Sequence, residues 1–149
     1  MLVVVDTNIF INAIFSDRFP SAERILELEE NGSIRFCFST LSKNELYRIV
    51  ARQVDLHNIF ECSEFFEILG SMVERSLFIS NPRKLQQLST DKGDQPFIEL
   101  AVHANAQFLI TDDYSNGLLE LGRYGGVNIV SSSQFIKLCN KLLRTGTDK

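Results

Sequence analysis

The stretch VVVDTN (residues 3–8) decides the interpretation of the chain, because a short apolar run ends directly at an acid. A short apolar run rich in β-branched residues over 2–5 predicts a strand covered on both faces, as in parallel sheets. Similar apolar runs predict strands elsewhere, at 34–38, 107–111 and 127–130, with a weaker candidate at 77–79.

Between these runs, apolar residues recur at helical spacing, for example Ala22, Ile25 and Leu26 before a stop at Gly32. Strands that alternate with helices predict βαβ units and an α/β fold. We expect a three-layer α/β/α sandwich around a mostly parallel sheet of four to five strands. A length of 149 residues suits one domain over 1–149, with a polar tail that frays from about 145.

Charge and cysteine content narrow the possible partners. The net charge is −4 and the pI about 5.2, so contact with a nucleic acid would need a local basic patch or bound cations. The three cysteines form no CxxC pair, which disfavours a disulfide framework or zinc ribbon and favours a reducing, cytoplasmic setting. No apolar run approaches the roughly 20 residues of a membrane span, so we expect no membrane association.

Acidic residues fall where strands end and helices begin. Asp6 follows the first strand, Asp112 and Asp113 follow the 107–111 strand, and Glu45 and Asp94 stand near helix starts. In open α/β sheets, ligands bind outside the carboxyl ends of the strands. The sequence therefore predicts that carboxylates from four separate parts of the chain meet at one rim.

Helix capping is the simpler explanation for each acid taken alone. Asp6 and Asp94 suit N-cap positions, and Glu45 suits a capping box with Ser42. If Ser39 is the cap instead, Glu45 lies inside the helix and is free to face the rim. Four independent caps, however, have no reason to share one sheet edge.

Converging carboxylates need a compensating charge. Two of them about 5 Å apart repel by about 3 kcal/mol at an effective dielectric constant near 20. Oxygen ligands without His or Cys favour Mg²⁺ or Mn²⁺ over zinc. Such a site suits phosphoryl transfer with one or two ions.

Four motifs, in this order, resemble the PIN domain family: VVVDTNIF (3–10), SKNEL (42–46), DKGDQPFIELA (91–101) and FLITDD (108–113). The nearest subgroup is the bacterial VapC-like toxins. This resemblance implies an α/β/α domain that acts as a Mg²⁺- or Mn²⁺-dependent RNA endonuclease, the toxin of a toxin–antitoxin pair. It also implies a small antitoxin partner and a homodimer.

The resemblance also assigns roles to residues. Asp6, Glu45, Asp94 and Asp113 correspond to the catalytic, metal-binding acids, and Asn8 and Thr111 to polar supports of the carboxylates. Many members have a Thr-Gly-Asp turn with another acid two residues on, whereas here Asp112 replaces the glycine and Ser115 the acid. Asp112 is thus an alternative to Asp113 as the ligand.

Two other functions fit the same residues. A PIN-fold module without catalysis could bind RNA or protein, which the departures at Asp112 and Ser115 favour. Asp6 also resembles the nucleophile of an aspartyl-phosphate phosphatase, although Asn8 stands where a second acid is expected. Basic residues that could contact RNA phosphates, or simply be solvated surface charges, are Arg18, Arg48, Arg52, Arg83, Lys84, Lys92 and Arg123.

Overall fold

Strands and helices alternate along the chain in a computed structural model that describes residues 1–56 and 63–147. The strands are β1 (Leu2–Val5), β2 (Arg35–Phe38), β3 (Leu77–Phe78), β4 (Phe108–Ile110), β5 (Arg123–Tyr124) and β6 (Val127–Val130). The helices are α1 (Thr7–Phe15), α2 (Pro20–Glu30), α3 (Thr40–Leu56), α4 (Ser63–Arg75), α5 (Gln95–His103), α6 (Leu118–Leu121) and α7 (Ser132–Thr147).

The strands form one sheet in the order β3-β2-β1-β4-β6-β5. Every pairing is parallel except β5 with β6. From β1 the chain proceeds to β2 and β3 on one side, then crosses to β4 and β6 on the other. The strand order therefore reverses between β1 and β4, where open α/β sheets form their binding crevice.

Side chains alternate between the two faces of the sheet, as the pleat of a strand requires. Val3 and Val5 pack in one apolar core with α1, α2, α3, α4 and α7. Val4 and Leu109 pack in a second core with α5 and α6. Helices thus cover both faces, which confirms the predicted three-layer α/β/α fold.

Several elements differ from the sequence prediction. The sheet has six strands rather than four to five, because β5 pairs with β6 across a turn at Gly125 and Gly126. α1 begins immediately after β1 and was not expected. α7 spans Ser132–Thr147, and the fraying of the tail from about 145 stays a prediction.

Other expectations agree with the structure or lie outside it. α2 ends as predicted before Gly32, whose φ of +84° is a left-handed conformation that glycine adopts at little cost. Cys37 and Cys139 are buried free thiols, whereas Cys62 lies outside the described residues. Within 1–56 and 63–147, no helix has the length and apolar character needed to cross a membrane.

An irregular segment at 83–89, here called the strap, is fastened to one face of α5. Gln95 Oε1 accepts hydrogen bonds from two strap amides at 3.0 and 2.9 Å. One turn later, Glu99 Oε2 accepts a third at 2.8 Å, and after another turn His103 Nδ1 accepts a fourth at 2.8 Å. The spacing of four residues places these acceptors on one helix face. The strap leads directly into the acidic turn at 91–94.

Candidate metal centre at the carboxyl edge of the sheet

Asp6 lies at the point where the strand order reverses. Its backbone N–H donates to the Ile110 carbonyl at 2.9 Å, and its Oδ2 accepts a hydrogen bond from Thr111 Oγ1 at 3.0 Å. The side chain is only 5% exposed. Although Asp6 occupies the N-cap position of α1, it makes no side-chain capping hydrogen bond. Its carboxylate therefore belongs to the crevice between β1 and β4.

Glu45 reaches the same crevice from α3. Ser39 Oγ accepts from the Ser42 N–H at 3.0 Å and Ser42 Oγ accepts from the Ser39 N–H at 2.8 Å, so these two serines cap the helix. Glu45 is left free of capping, as the second sequence interpretation expected. Its Oε2 accepts a hydrogen bond from Thr7 Oγ1 at 3.1 Å, beside Asp6.

Asp94 and Asp113 form the other half of the site. Asp94 stands at the start of α5 without a side-chain capping bond, and its Oδ2 accepts from Asn116 Nδ2 at 2.9 Å. Asp113 Oδ1 accepts both the N–H and the hydroxyl of Ser115, at 2.8 and 2.6 Å. The residue that replaces the family's further acid therefore holds Asp113 in place.

A fifth acid, Asp91, joins this half of the site and was not predicted. Carboxylate oxygens of Asp91, Asp94 and Asp113 all lie within 4.8 Å of one another, the spacing of ligands around one cation. Asp91 Oδ1 accepts the Gly93 N–H at 2.7 Å, which closes the turn. The only sequence feature that could have indicated it is the DKGD turn, in which two acids stand three residues apart.

Asp112 points elsewhere. Its Oδ1 accepts the Ser132 N–H at 2.8 Å and its Oδ2 accepts the Ser132 hydroxyl at 2.7 Å, at the first residue of α7. A carboxylate there satisfies a free amide of the helix and interacts favourably with the helix dipole. The geometry thus separates two consecutive acids, with Asp113 beside Asp94 and Asp112 against α7.

The supporting residues also differ from expectation. Thr111 donates a hydrogen bond to the Asp6 carboxylate, and its role as a support stays a prediction. The side chain of Asn8 is exposed and makes no hydrogen bond to residues in the described part of the chain. Thr7 and Asn116 hold Glu45 and Asp94 instead. A local pattern could not indicate Asn116, because its contact depends on how the loop after β4 folds back.

The electrostatics of the site oppose the ionisation of Asp6. Burial, together with the nearby charges of Asp94 and then Glu45, raises its pKa to about 6, although the Thr111 hydroxyl acts in the opposite direction. Burial, with the neighbouring Asp113, also raises the pKa of Asp94. The two hydrogen bonds from Ser115 lower the pKa of Asp113. The positive charge of a bound divalent cation would favour the ionised forms of Asp6 and Asp94.

The ligand chemistry fits a hard cation. All the available ligands are carboxylate oxygens, which suit Mg²⁺ or Mn²⁺. Asp94 and Asp113 belong both to the tight cluster with Asp91 and to the predicted quartet. Asp6 and Glu45 lie close enough for their charges to affect the same site. These features define an α/β domain with a carboxylate site at the point where its strand order reverses.

The family follows from a direct comparison. A model of the PIN domain family matches residues 2–115, and the chain belongs to this family. Among solved structures, the chain is similar in fold to a chain of VapBC2 from Rickettsia felis, crystallised bound to a DNA fragment from their promoter. The TM-score is 0.57 at 19% identity, over 88% of this chain and 98% of that one. No curated protein matches the sequence.

Proposed function

We propose that the chain is a Mg²⁺- or Mn²⁺-dependent RNA endonuclease. The observation that supports this most is the meeting of acids from four separate elements at the carboxyl edge of the sheet. Local capping does not account for Asp6, Glu45 or Asp94, since none of the three makes a capping hydrogen bond. Membership of the PIN domain family agrees with this assignment.

In this proposal the acids have different roles. Asp6 and Asp94 hold the cation, because both lie among other carboxylates and are oriented by Thr111 and Asn116. Asp113 remains ionised through its bonds from Ser115 and serves as a further ligand. Glu45, held by Thr7, orients the water that attacks the phosphodiester. Asp91 belongs to the ligand set as well, since its carboxylate completes the tight cluster.

The chemistry is an in-line hydrolysis of a phosphodiester bond. When bound, one or two divalent ions neutralise charge on the phosphate and lower the pKa of water. Glu45 accepts a hydrogen bond from the attacking water and so fixes its direction. Thr111 and Asn116 keep Asp6 and Asp94 oriented, which limits the reorganisation needed during reaction.

The biological setting we propose is a toxin–antitoxin pair. The similar fold in VapBC2 supports this setting, and a small antitoxin that covers the acidic edge would restrain the nuclease. We also propose a homodimer. Co-expression with the product of a neighbouring reading frame, followed by size-exclusion chromatography with light scattering, tests both the partner and the stoichiometry.

Cleavage assays test the enzymatic proposal. We expect cleavage of single-stranded RNA in Mg²⁺ or Mn²⁺, none with excess chelator, and none by Asp6→Asn or Asp94→Asn. Asp17→Asn is the matched control, because Asp17 is exposed and outside the site. Full cleavage by Asp6→Asn, or by the wild type in chelator, would refute the assignment.

A second candidate is a PIN-fold module that binds RNA or protein without cutting. The bonds from Ser115 to Asp113 favour it, because they occupy one oxygen of a proposed ligand. This module would bind RNA without cleaving it in any divalent ion. The variant Ser115→Asp restores the acid that the family pattern has at this position and discriminates the two candidates. If the wild type does not cleave RNA and this variant does, the result would support the non-catalytic module.

A further inference from the structure

An open groove of about 480 Å³ separates α2 from α4, on the face of the sheet that α7 also covers. Its apolar lining consists of Leu26 from α2 and of Ile68 and Met72 from α4. The Glu29 carboxylate on α2 accepts hydrogen bonds from Arg75 Nε and Nη2 on α4, at 2.7 and 2.9 Å. Because this ion pair ties the two walls together, it sets the width of the groove.

The rim of the α2–α4 groove is acidic. Glu30, Glu64 and Glu67 line it and are exposed, and none of them forms a salt bridge with a residue of 1–56 or 63–147. Among the described residues that line the groove, Arg75 is the one cation, and it already binds Glu29. An apolar lining with an acidic rim favours an occupant that is both apolar and positively charged.

A surface of complementary chemistry lies on α7 of the same chain. Leu138 and Leu142 stand one helical turn apart and are 41% and 59% exposed. Lys137 and Lys141 have the same spacing beside them, are exposed, and form no salt bridge with the described parts of the chain. The sequence of α7 contains no acid. These four residues, here called the α7 stripe, therefore combine apolar surface with positive charge.

Charge decides how two copies of the chain can pair through these surfaces. Two α7 stripes face to face would oppose lysines to lysines, and two grooves would oppose glutamates to glutamates. An α7 stripe against a groove instead pairs opposite charges and covers apolar surface with apolar surface. The two surfaces of one chain are separated by α2, which packs against α7 and also forms a wall of the groove. The complement of each groove therefore comes from a second molecule.

We propose that the chain forms a two-fold dimer in which the α7 stripe of each copy occupies the α2–α4 groove of the other. The leucines of the stripe pack against the apolar lining, and its lysines pair with the acidic rim. Since the two surfaces flank α2, a two-fold axis beside α2 forms both contacts at once and closes the assembly. The inference rests on the homodimer proposed above and assigns its surfaces.

Charge reversal on each surface tests the pairing. Sedimentation velocity at low salt measures the Kd of the dimer for the full chain, purified without a partner. The stripe variant, Lys137→Glu with Lys141→Glu, makes α7 acidic. The groove variant, Glu64→Lys with Glu67→Lys, makes the rim basic. Thermal melting confirms that each variant folds.

The matched control reverses charge elsewhere. Arg48→Glu with Arg52→Glu changes two exposed cations of α3 that have the same four-residue spacing. This control should change the Kd of the dimer by less than about twofold.

The stripe variant and the groove variant should each dimerise at least about tenfold more weakly than the wild type, because every dimer contains the repulsive contact twice. Mixed in equal amounts, they should form a heterodimer about as tight as the wild-type dimer. In that heterodimer an acidic α7 meets a basic groove and a basic α7 meets an acidic groove. Leu138→Ser should weaken the wild-type dimer about tenfold without changing its dependence on salt.

Several outcomes would overturn the inference. A monomeric wild type would refute the homodimer as well as its surfaces. A dimer that survives both charge reversals, a mixture without heterodimer, or dissociation by the α3 control alone would refute only these surfaces. Loss of the co-expressed neighbouring product from the groove variant, with its dimer unchanged, would assign the groove to that partner instead. Cleavage assays bear on the nuclease proposal separately, since sedimentation does not depend on catalysis.

Discussion

The Asp6 carboxylate is buried beside Asp94 and Glu45, and the hydrogen bonds from the Thr111 hydroxyl and the Asn8 backbone do not offset the cost of its charge. A pKa of about 6 against an ordinary value of 3.8 means that the native state retains a proton that the unfolded state has lost. The metal-free protein should therefore lose stability as pH rises from about 4 to about 6, and remain at the lower value above that. A difference of this size corresponds to about 3 kcal/mol.

Asp6→Asn should remove this pH dependence. At neutral pH and without metal we expect the variant to be more stable than the wild type by about 3 kcal/mol, and near pH 4 to be nearly equal to it. Urea unfolding at several pH values measures the difference. Asp17→Asn should change neither value. A lower stability of Asp6→Asn at neutral pH would show that the carboxylate is structural rather than strained.

The consecutive acids Asp112 and Asp113 should respond differently to the same substitution. Asp112→Ala removes the acceptor for the first amide of α7 and should cost about 1 kcal/mol, with cleavage within about threefold of wild type. Asp113→Ala should reduce cleavage at least about tenfold with little loss of stability. Parallel melting curves and initial cleavage rates compare them. Loss of cleavage in Asp112→Ala together with loss of stability in Asp113→Ala would show that the two acids have the opposite roles.

At the level of elements, the strap at 83–89 links the packing of α5 to the geometry of the acids. Gln95→Ala removes the acceptor for two strap amides and the donor to the Gln86 carbonyl. We expect a loss of about 2 kcal/mol in stability and a weaker stabilisation by Mn²⁺, because Asp91 and Asp94 follow the strap. Melting with and without Mn²⁺ measures both effects.

The control for this substitution lies in the strap itself. Gln87 is exposed, and its side chain donates one long hydrogen bond of 3.4 Å to the Ser89 carbonyl. Gln87→Ala should therefore leave stability and the Mn²⁺ effect nearly unchanged. If both glutamine variants behave alike, the strap does not position the acids.

Elements with a strong apolar pattern could be predicted from sequence, and those fixed by tertiary contact could not. β1 is an uninterrupted apolar run and β6 is apolar except for Asn128, and the predicted bounds of both strands match the structure. β5 has two residues between glycines and exists only through its pairing with β6. α1 was not predicted because its residues are apolar on nearly all sides of the helix. The helix packs between the sheet and α2, so its sequence lacks the alternation of apolar and polar faces that marks an amphipathic helix.

The candidate site likewise contains residues whose position could be predicted from sequence and residues whose position could not. The position of Asp6, Asp94 and Asp113 at one edge could be predicted because each follows a strand or precedes a helix, and that of Glu45 because it lies in the second turn of the helix after β2. The carboxyl ends of parallel strands share one edge, whereas the roles of these acids stay predictions. The choice between Asp112 and Asp113 could not be predicted, since it depends on the position of α7. Asn116 and Asp91 reach the site only through the folding of loops, which leaves no periodic pattern in the sequence.

For the molecule as a whole, the excess of acid at one edge predicts stabilisation by divalent ions. At a hundredfold excess over Kd, Mg²⁺ or Mn²⁺ should raise Tm by about 5–10 °C. The increase should vanish in Asp94→Asn and should not occur with Na⁺ at the same ionic strength. Differential scanning fluorimetry measures it. An equal rise with Na⁺ would indicate general screening instead of a specific site.

Both outer strands of the sheet, β3 and β5, are only two residues long. Edge strands this short leave few unpaired backbone N–H and C=O groups with which a neighbouring chain could pair. Their shortness therefore protects the protein against edge-to-edge aggregation. Self-association by strand addition is thereby disfavoured. Mutations that test the proposed homodimer therefore belong on helix surfaces rather than on the sheet margins.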